Sequence, residues 1–292
     1  MAGQENKRAT PIGFTAILLW GMLALLTSFT GDIPPFQKTA ITFFIAFLVG
    51  VAVFIKEGCD FARLRQPLPV WLNGIFGLFG YHAVYFLAMS RAPSVEVSLI
   101  AYLWPILIVL FSAFLPGERL RWFHVGGVAL GFLGVAALLM RGGFALRQEY
   151  MVGYALALLC AVIWASYSVL SRKLRAAPTV MIGAYCGITA ALSLVCHLLF
   201  ENTAPVTGTQ WVPLVLLGLG PVGIAFFTWD YGMKKGNIKL LGTLSYVAPL
   251  LSSALLVAFG KADFSLGLLV ACALITLGSG LTAWEKVRGR KR

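Results

Sequence analysis

The sequence predicts an all-α membrane protein of ten transmembrane helices, built as two inverted five-helix repeats with both termini on the cytoplasmic side. Three observations predict it. Of the 292 residues, 59% are hydrophobic and only 12% are charged, and the mean hydropathy is +0.86, outside the range of an ordinary soluble domain. Charged and turn-forming clusters divide the chain into about ten apolar runs, each near the roughly 20 residues that cross a bilayer as a helix. The chain also repeats itself at one offset of 144 residues, which carries Trp20 onto Trp164, Pro69 onto Pro213, Tyr102 onto Tyr246 and Pro105 onto Pro249.

The first run, 11–28, follows Lys7 and Arg8 as a signal peptide would. It leads into FTGDIPPF with no small-residue cleavage pattern, and so is an uncleaved span. The second, 36–55, stops at Lys56 and Glu57. The third, 68–90, offers Gly74, Gly77 and Gly80, then Tyr81, His82, Tyr85 and Met89. Gly77, Tyr81 and Tyr85 recur at i, i+4 and i+8, a patch for close helix contact that continues as an aromatic stripe. The fourth, 93–115, holds SLIAYLWPIL with Tyr102, Trp104 and Pro105 at mid-depth, and the fifth, 122–140, carries a GxxxG at Gly127–Gly131 continued by Gly134. The sixth, 150–171, contains Trp164 and Tyr167, and the seventh spans 179–200. The eighth, 211–233, contains Trp229 and Asp230. The ninth, 238–260, holds SYVAPLL with Tyr246 and Pro249, and the tenth, 264–284, has Gly278 and Gly280. None alternates polar and apolar residues as a transmembrane β-strand does, which leaves helices as the spanning structure.

The formal net charge of +12 would suggest nucleic acid in a soluble protein, but its distribution says otherwise. All Lys and Arg except Lys38, Arg91, Arg141, Arg147 and Lys261 lie on the tails and the even-numbered joints. By the positive-inside rule these face the cytoplasm, so the charge encodes orientation. The five cysteines form no CxxC and most lie in apolar runs, as small packing residues do; neither a disulfide framework nor a metal site is implied.

Five helices per half is an odd number, so residues 146–292 enter the membrane from the side opposite to residues 1–145. In transporters that symmetry supports alternating access around a midplane site. Pro105 and Pro249 should kink their helices there and loosen the carbonyls of Ala101 and Ser245. Broken helix at that depth is tolerated where it packs in protein or lines a wet cavity. Tyr102 and Tyr246 each precede their proline by three residues, on the same face, and a mid-bilayer tyrosine needs a hydroxyl partner; both are expected to face a central cavity. Trp104 sits about 200° from Tyr102 on an ideal helix, so the two share a cavity only if the kink rotates the segment.

The expected lining is therefore Trp20, Tyr81, His82, Tyr85, Tyr102, Trp104, Trp164, Trp229 and Tyr246, with simple packing as the alternative role for Trp20 and Trp164 and an interfacial aromatic belt as that for Tyr81. His82 is either a titratable carrier of protons or a hydrogen-bonded structural residue. Asp230 with Lys234 at i+4 fits a helix-surface ion pair. Rings can stack on an apolar solute and hold an ammonium by cation–π attraction, and a cavity with few fixed charges suits a net-neutral solute. There is no HExxH, no GxGD, no selectivity-filter sequence and no long soluble loop, which argues against an intramembrane enzyme, a channel and an interaction protein. No cofactor is implied.

These features resemble the EamA-type branch of the drug/metabolite transporter superfamily: the repeat, LLWG at 18–21 and VIWA at 162–165, the paired Tyr-x-x-Pro, and the Glu of FLPGE at 114–118. The second half departs from the pattern, because AFGKADF at 258–264 lacks the acidic residue. The aromatic-rich third and fourth helices are most similar to bacterial exporters of aromatic amino acids. The resemblance implies export of aromatic and other neutral amino acids across the bacterial inner membrane, with drugs or other neutral metabolites as the second candidate cargo. It also implies that the glycine-bearing fifth and tenth helices form a scaffold. A monomer is expected, with homodimerisation through that scaffold as the other arrangement.

Overall fold

The computed structural model describes residues 7–139, 147–261, 263–264 and 266–289, and every regular element among them is helical. The expected repeat boundary after residue 145 falls outside the described residues, as do Arg141, Arg290, Lys291 and Arg292. Eight segments are long and apolar enough to cross a membrane: Ala9–Ser28, Pro35–Lys56, Leu68–Met89, Glu96–Phe114, Gln148–Lys173, Met181–Phe200, Gly208–Lys235 and Ile238–Ala258. Two shorter apolar stretches, Trp122–Ala137 and Leu269–Thr282, stand at the positions of the fifth and tenth expected spans.

In chain order the first half contains α1 (Ala9–Gly21), α2 (Leu23–Ser28), α3 (Pro35–Lys56), α4 (Leu68–Ile75), α5 (Tyr81–Met89), α6 (Ser94–Ala101), α7 (Trp104–Phe111) and α8 (Trp122–Leu139). The second contains α9 (Met151–Lys173), α10 (Met181–Phe200), α11 (Gly208–Leu219), α12 (Ala225–Lys235), α13 (Ile238–Leu244), α14 (Val247–Ala258) and α15 (Leu266–Gly289). The interruptions recur with the sequence repeat. A π-turn at Phe76–Gly80 joins α4 to α5, and another at Gly220–Ile224 joins α11 to α12. Breaks at Tyr102–Leu103 and at Ser245–Tyr246 separate α6 from α7 and α13 from α14. The prolines thus do more than kink continuous helices: each chain restarts as a new helix with Pro105 or Pro249 in its first turn, where a missing N–H leaves no carbonyl unpaired.

Glycines set the closest helix contacts. Gly50 of α3 meets Gly183 of α10 backbone to backbone, and Gly13 of α1 meets Gly232 of α12 in the same way. Gly127 of α8 lies on Gly278 and Thr282 of α15, so the GxxxG surface is consumed inside the chain. The packing largely survives exchange of the halves. α1 packs on α12 and α14, as α9 packs on α5 and α7; α3 packs on α11, as α10 does on α4; α15 packs on α13, as α8 does on α6.

One departure from that exchange shapes the molecule. The α12–α13 hairpin packs against α7, α8, α9 and α10, whereas among the described residues α5–α6 has few close backbone approaches to α14, α15 and α1, and meets α3 through the ring pairs Phe36–Phe86 (5.3 Å) and Phe43–His82 (5.1 Å). The bundle is closed at the end bearing the α12–α13 tip and splayed at the end bearing the α5–α6 tip.

Polar clasps tie both ends. At the closed end, Glu118 accepts from Arg172 (3.1 Å) and pairs with Lys239 (3.1 Å), while Arg172 also donates to the carbonyls of Met233 (3.2 Å) and Gly236 (2.6 Å). At the other, the Glu201 carboxylate accepts from the backbone N–H groups of Phe36 (2.8 Å) and Gln37 (3.0 Å), capping α3 from the second half. His197 completes it, with Nδ1 2.9 Å from Glu201 and Nε2 2.9 Å from the Thr203 hydroxyl.

Candidate functional site

Two helices from each half bring four indoles together in the middle of the bundle. Trp20 lies 5.0 Å from Trp229, 5.6 Å from Trp164 and 6.3 Å from Trp104, centroid to centroid. Trp104 is 6.2 Å from Trp164 and 5.8 Å from Trp229. Most of these pairs are edge-on or tilted, the geometry that ring quadrupoles favour. Tyr81 extends the cluster, 5.5 Å from Trp164 and stacked on Tyr85 at 5.9 Å. Trp104, Trp164 and Trp229 are buried, whereas Trp20, Tyr81, His82 and Tyr85 are half-buried, on the side where α5 is splayed. No Lys or Arg lies over these rings among the described residues.

The π-turns explain how the ring N–H groups are held. A π-turn disturbs the i→i−4 ladder and leaves carbonyls in need of donors. Trp20 Nε1 donates to the Pro221 carbonyl at 3.0 Å, and His82 Nδ1 lies 2.7 Å from the Leu78 carbonyl. A carbonyl only accepts, so Nδ1 carries the proton and Nε2 of the neutral ring keeps its lone pair. Trp229 Nε1 donates to Ser168 Oγ (3.2 Å), and the Tyr85 hydroxyl lies 3.4 Å from Ser98 Oγ.

Not all expected residues meet here. Tyr246 is fully buried in a separate cluster with Leu99, Val109, Val128 and Ile275; Tyr102 packs on that cluster while its hydroxyl comes within electrostatic reach of Tyr81 and Tyr85. Trp104, whose repeat counterpart is Ala248, sits at the centre instead. Residues outside the expected lining join it too, among them Tyr167, 5.2 Å from Trp164. Phe226 touches Trp20 (6.2 Å) and Trp164 (5.8 Å), and Phe43 stacks on Phe226 (5.7 Å) while meeting His82 edge-on (5.1 Å). Phe226 is the counterpart of His82 at the repeat offset, the one sequence cue that marks it.

Below Trp229 a polar cleft is lined by Asn73, Ser171, Tyr185, Asp230 and Lys234. The Asp230–Lys234 pair forms at 2.8 Å, but between helices and not on a helix surface: the side chains are 3% and 7% exposed. Thr179 donates to Asp230 (2.7 Å) and Lys234 donates to the Ala177 carbonyl (2.9 Å), which satisfies the buried charges.

The EamA-like transporter family model matches the chain twice, over residues 8–140 and 151–284. The aromatic amino acid exporter YddG of Ancylobacter novellus is 55% identical over 95% of this chain and 97% of its own length. The protein of the same name from Escherichia coli K12 is 27% identical over 97% of this chain and 99% of its own. A solved crystal structure superposes with a TM-score of 0.93 at 54% identity, covering 97% of this chain and 99% of its own. With a family model spanning both halves and this likeness along nearly its whole length, the chain belongs to the EamA-like transporter family.

Proposed function

We propose that the protein exports amino acids, aromatic and other neutral ones, across the bacterial inner membrane by alternating access, as a carrier and not an enzyme. The observation that carries the reading is the indole cluster. Rings from both halves converge where helices are broken, with a hydrogen-bonded histidine and no fixed cation among them. Such a surface stacks on an apolar or aromatic side chain, attracts an ammonium by cation–π contact, and offers the Nε2 lone pair of His82 to the same ammonium. A phosphorylated solute would need Lys or Arg there. Likeness to proteins named as aromatic amino acid exporters supports the cargo.

In this reading the chain has ten spans in two inverted repeats, 1–145 and 146–292, with both termini cytoplasmic and the chain acting as a monomer. The closed end, rich in Arg119, Arg121, Arg172, Lys173, Lys234 and Lys235, faces the cytoplasm, so the splayed end opens to the periplasm. The lining comprises Trp20, Tyr81, His82, Tyr85, Trp104, Trp164 and Trp229, with Tyr102 and Tyr246 at the hinge beside it.

Exchange of labelled phenylalanine in proteoliposomes tests this. Uptake accelerated by internal phenylalanine, threonine or methionine is expected. Folded protein that exchanges no amino acid would overturn the cargo and point to drugs or other neutral metabolites.

A further inference from the structure

Exchange of the halves maps the clasp at the closed end onto the splayed end. At the offset of 144 residues, Glu118 corresponds to Ala262, Arg172 to Ser28 and Lys239 to Val95. None of the three is charged, so a copied clasp is absent. Beside them stand three charges: Lys261 precedes Ala262, Asp263 follows it, and Glu96 follows Val95, so Lys261 and Glu96 carry the sign opposite to that of the clasp residue each adjoins.

Neither forms an ion pair among the described residues. Glu96 is a half-buried residue with a carboxylate oxygen, Oε2, that is buried and has no hydrogen-bond partner. A carboxylate oxygen left so is costly, and it is free to take a partner. Lys261 is exposed, with Nζ 5.2 Å above the ring of Phe29. Phe29 adjoins Ser28, the counterpart of Arg172, so the Lys261–Phe29 contact already reproduces the Glu118–Arg172 edge of the opposite clasp, one residue out of step. The missing edge is the one from Lys261 to α6, and α6 is the helix that is splayed away.

We propose that Glu96 and Lys261 form an ion pair when the α5–α6 hairpin packs in, a sign-exchanged counterpart of Glu118–Lys239 that latches the other end of the transport cycle. The proposal rests on the alternating-access reading above. The two latches then alternate. Glu118 holds Lys239 and Arg172 while the α5–α6 end is open, and Glu96 takes Lys261 when it closes.

Charge reversal in the full-length protein, reconstituted in proteoliposomes, tests the pair. Glu96→Lys and Lys261→Glu each place like charges at the closing tips and should slow phenylalanine exchange about tenfold, while the double reversal should restore most of it. Slow exchange in Glu96→Lys with no rescue by Lys261→Glu would overturn the pair and assign Glu96 to the ammonium of the solute. Unchanged exchange in both single variants would overturn it too. A second arm needs no transport: Glu96→Cys with Lys261→Cys should be bridged by a short thiol-specific crosslinker in membranes. Bridging in a protein that exchanges no amino acid would keep the latch and remove the cargo reading. Robust wild-type exchange without bridging would remove the latch alone.

Discussion

The hydroxyl of Tyr246 donates to the carbonyl of Tyr102, its own counterpart at the repeat offset, at 3.3 Å. Both residues lie at helix breaks, and this bond crosses between the halves where each backbone ladder is interrupted. The reverse bond, from the Tyr102 hydroxyl to the Tyr246 carbonyl, is not among those the described residues make. A pair of counterparts bonded one way only is a local record of the inequality between α12–α13 and α5–α6.

Tyr246→Phe removes that donor and keeps the ring under Gly131. The loss should be about 1–3 kcal/mol, because a buried carbonyl is stranded. Thermal unfolding in detergent should show a lower midpoint, with phenylalanine exchange altered and not abolished.

Trp164 touches more of the cluster than Trp20 does, meeting Trp20, Tyr81, Trp104, Tyr167, Phe226 and Trp229. Trp164→Phe retains an aromatic face but loses area and edge contacts worth about 0.5–1.5 kcal/mol each. Half-saturation for phenylalanine in exchange assays should rise roughly tenfold, with normal membrane insertion.

His82→Phe copies at one position what Phe226 already is at the equivalent one, against the same Phe43 ring. The fold should therefore tolerate it. It removes the Nε2 lone pair and leaves the Leu78 carbonyl without its ring donor, so exchange should fall steeply while unfolding shifts by only about 1–2 kcal/mol.

Glu118→Gln leaves Arg172 and Lys239 facing a neutral amide, and it should loosen the closed end. In a Cys59→Ser background, a cysteine at Leu174, which lines the cleft beside Asp230, should label faster with an impermeant maleimide applied from that end. An unchanged labelling rate would show that the apolar contacts of α7 with α13 hold the end without the clasp.

Glu201→Gln should weaken the cap on α3 by about 1.5–3 kcal/mol, since its carboxylate accepts from two N-terminal N–H groups. The measurement is the unfolding midpoint. Exchange at low temperature should stay near wild type, because nothing in this clasp touches the indoles.

The repeat offset was the most informative feature of the sequence. It paired the two Tyr-x-x-Pro breaks in advance, whereas the π-turns were not foreseen, since no local signal in FGLFG or GPVGI announces one. It also favoured Tyr246 over Trp104 for the centre, and there the exchange of halves misleads. Trp104 opens α7 as a new helix after the break, and its counterpart Ala248, buried in the same core, has no ring to offer. Phe43 was hidden among 21 phenylalanines, since burial toward a site and burial toward lipid use the same residue. For Asp230 and Lys234, spacing fixed the pairing but not which helix face carried it, so a buried pair looked like a surface one.

Gly50 and Gly183 are the closest approach of α3 to α10, two helices that trade places when the halves are exchanged. A contact made of bare backbone has no side-chain teeth to disengage, so the helices can roll on it while their tips travel. Exchange of the halves carries this contact onto Thr39 and Leu194, so bare backbone serves one end of the crossing and side chains the other. A methyl group on either glycine would act like a wedge under a seesaw, spreading the two helices and misaligning both gates at once.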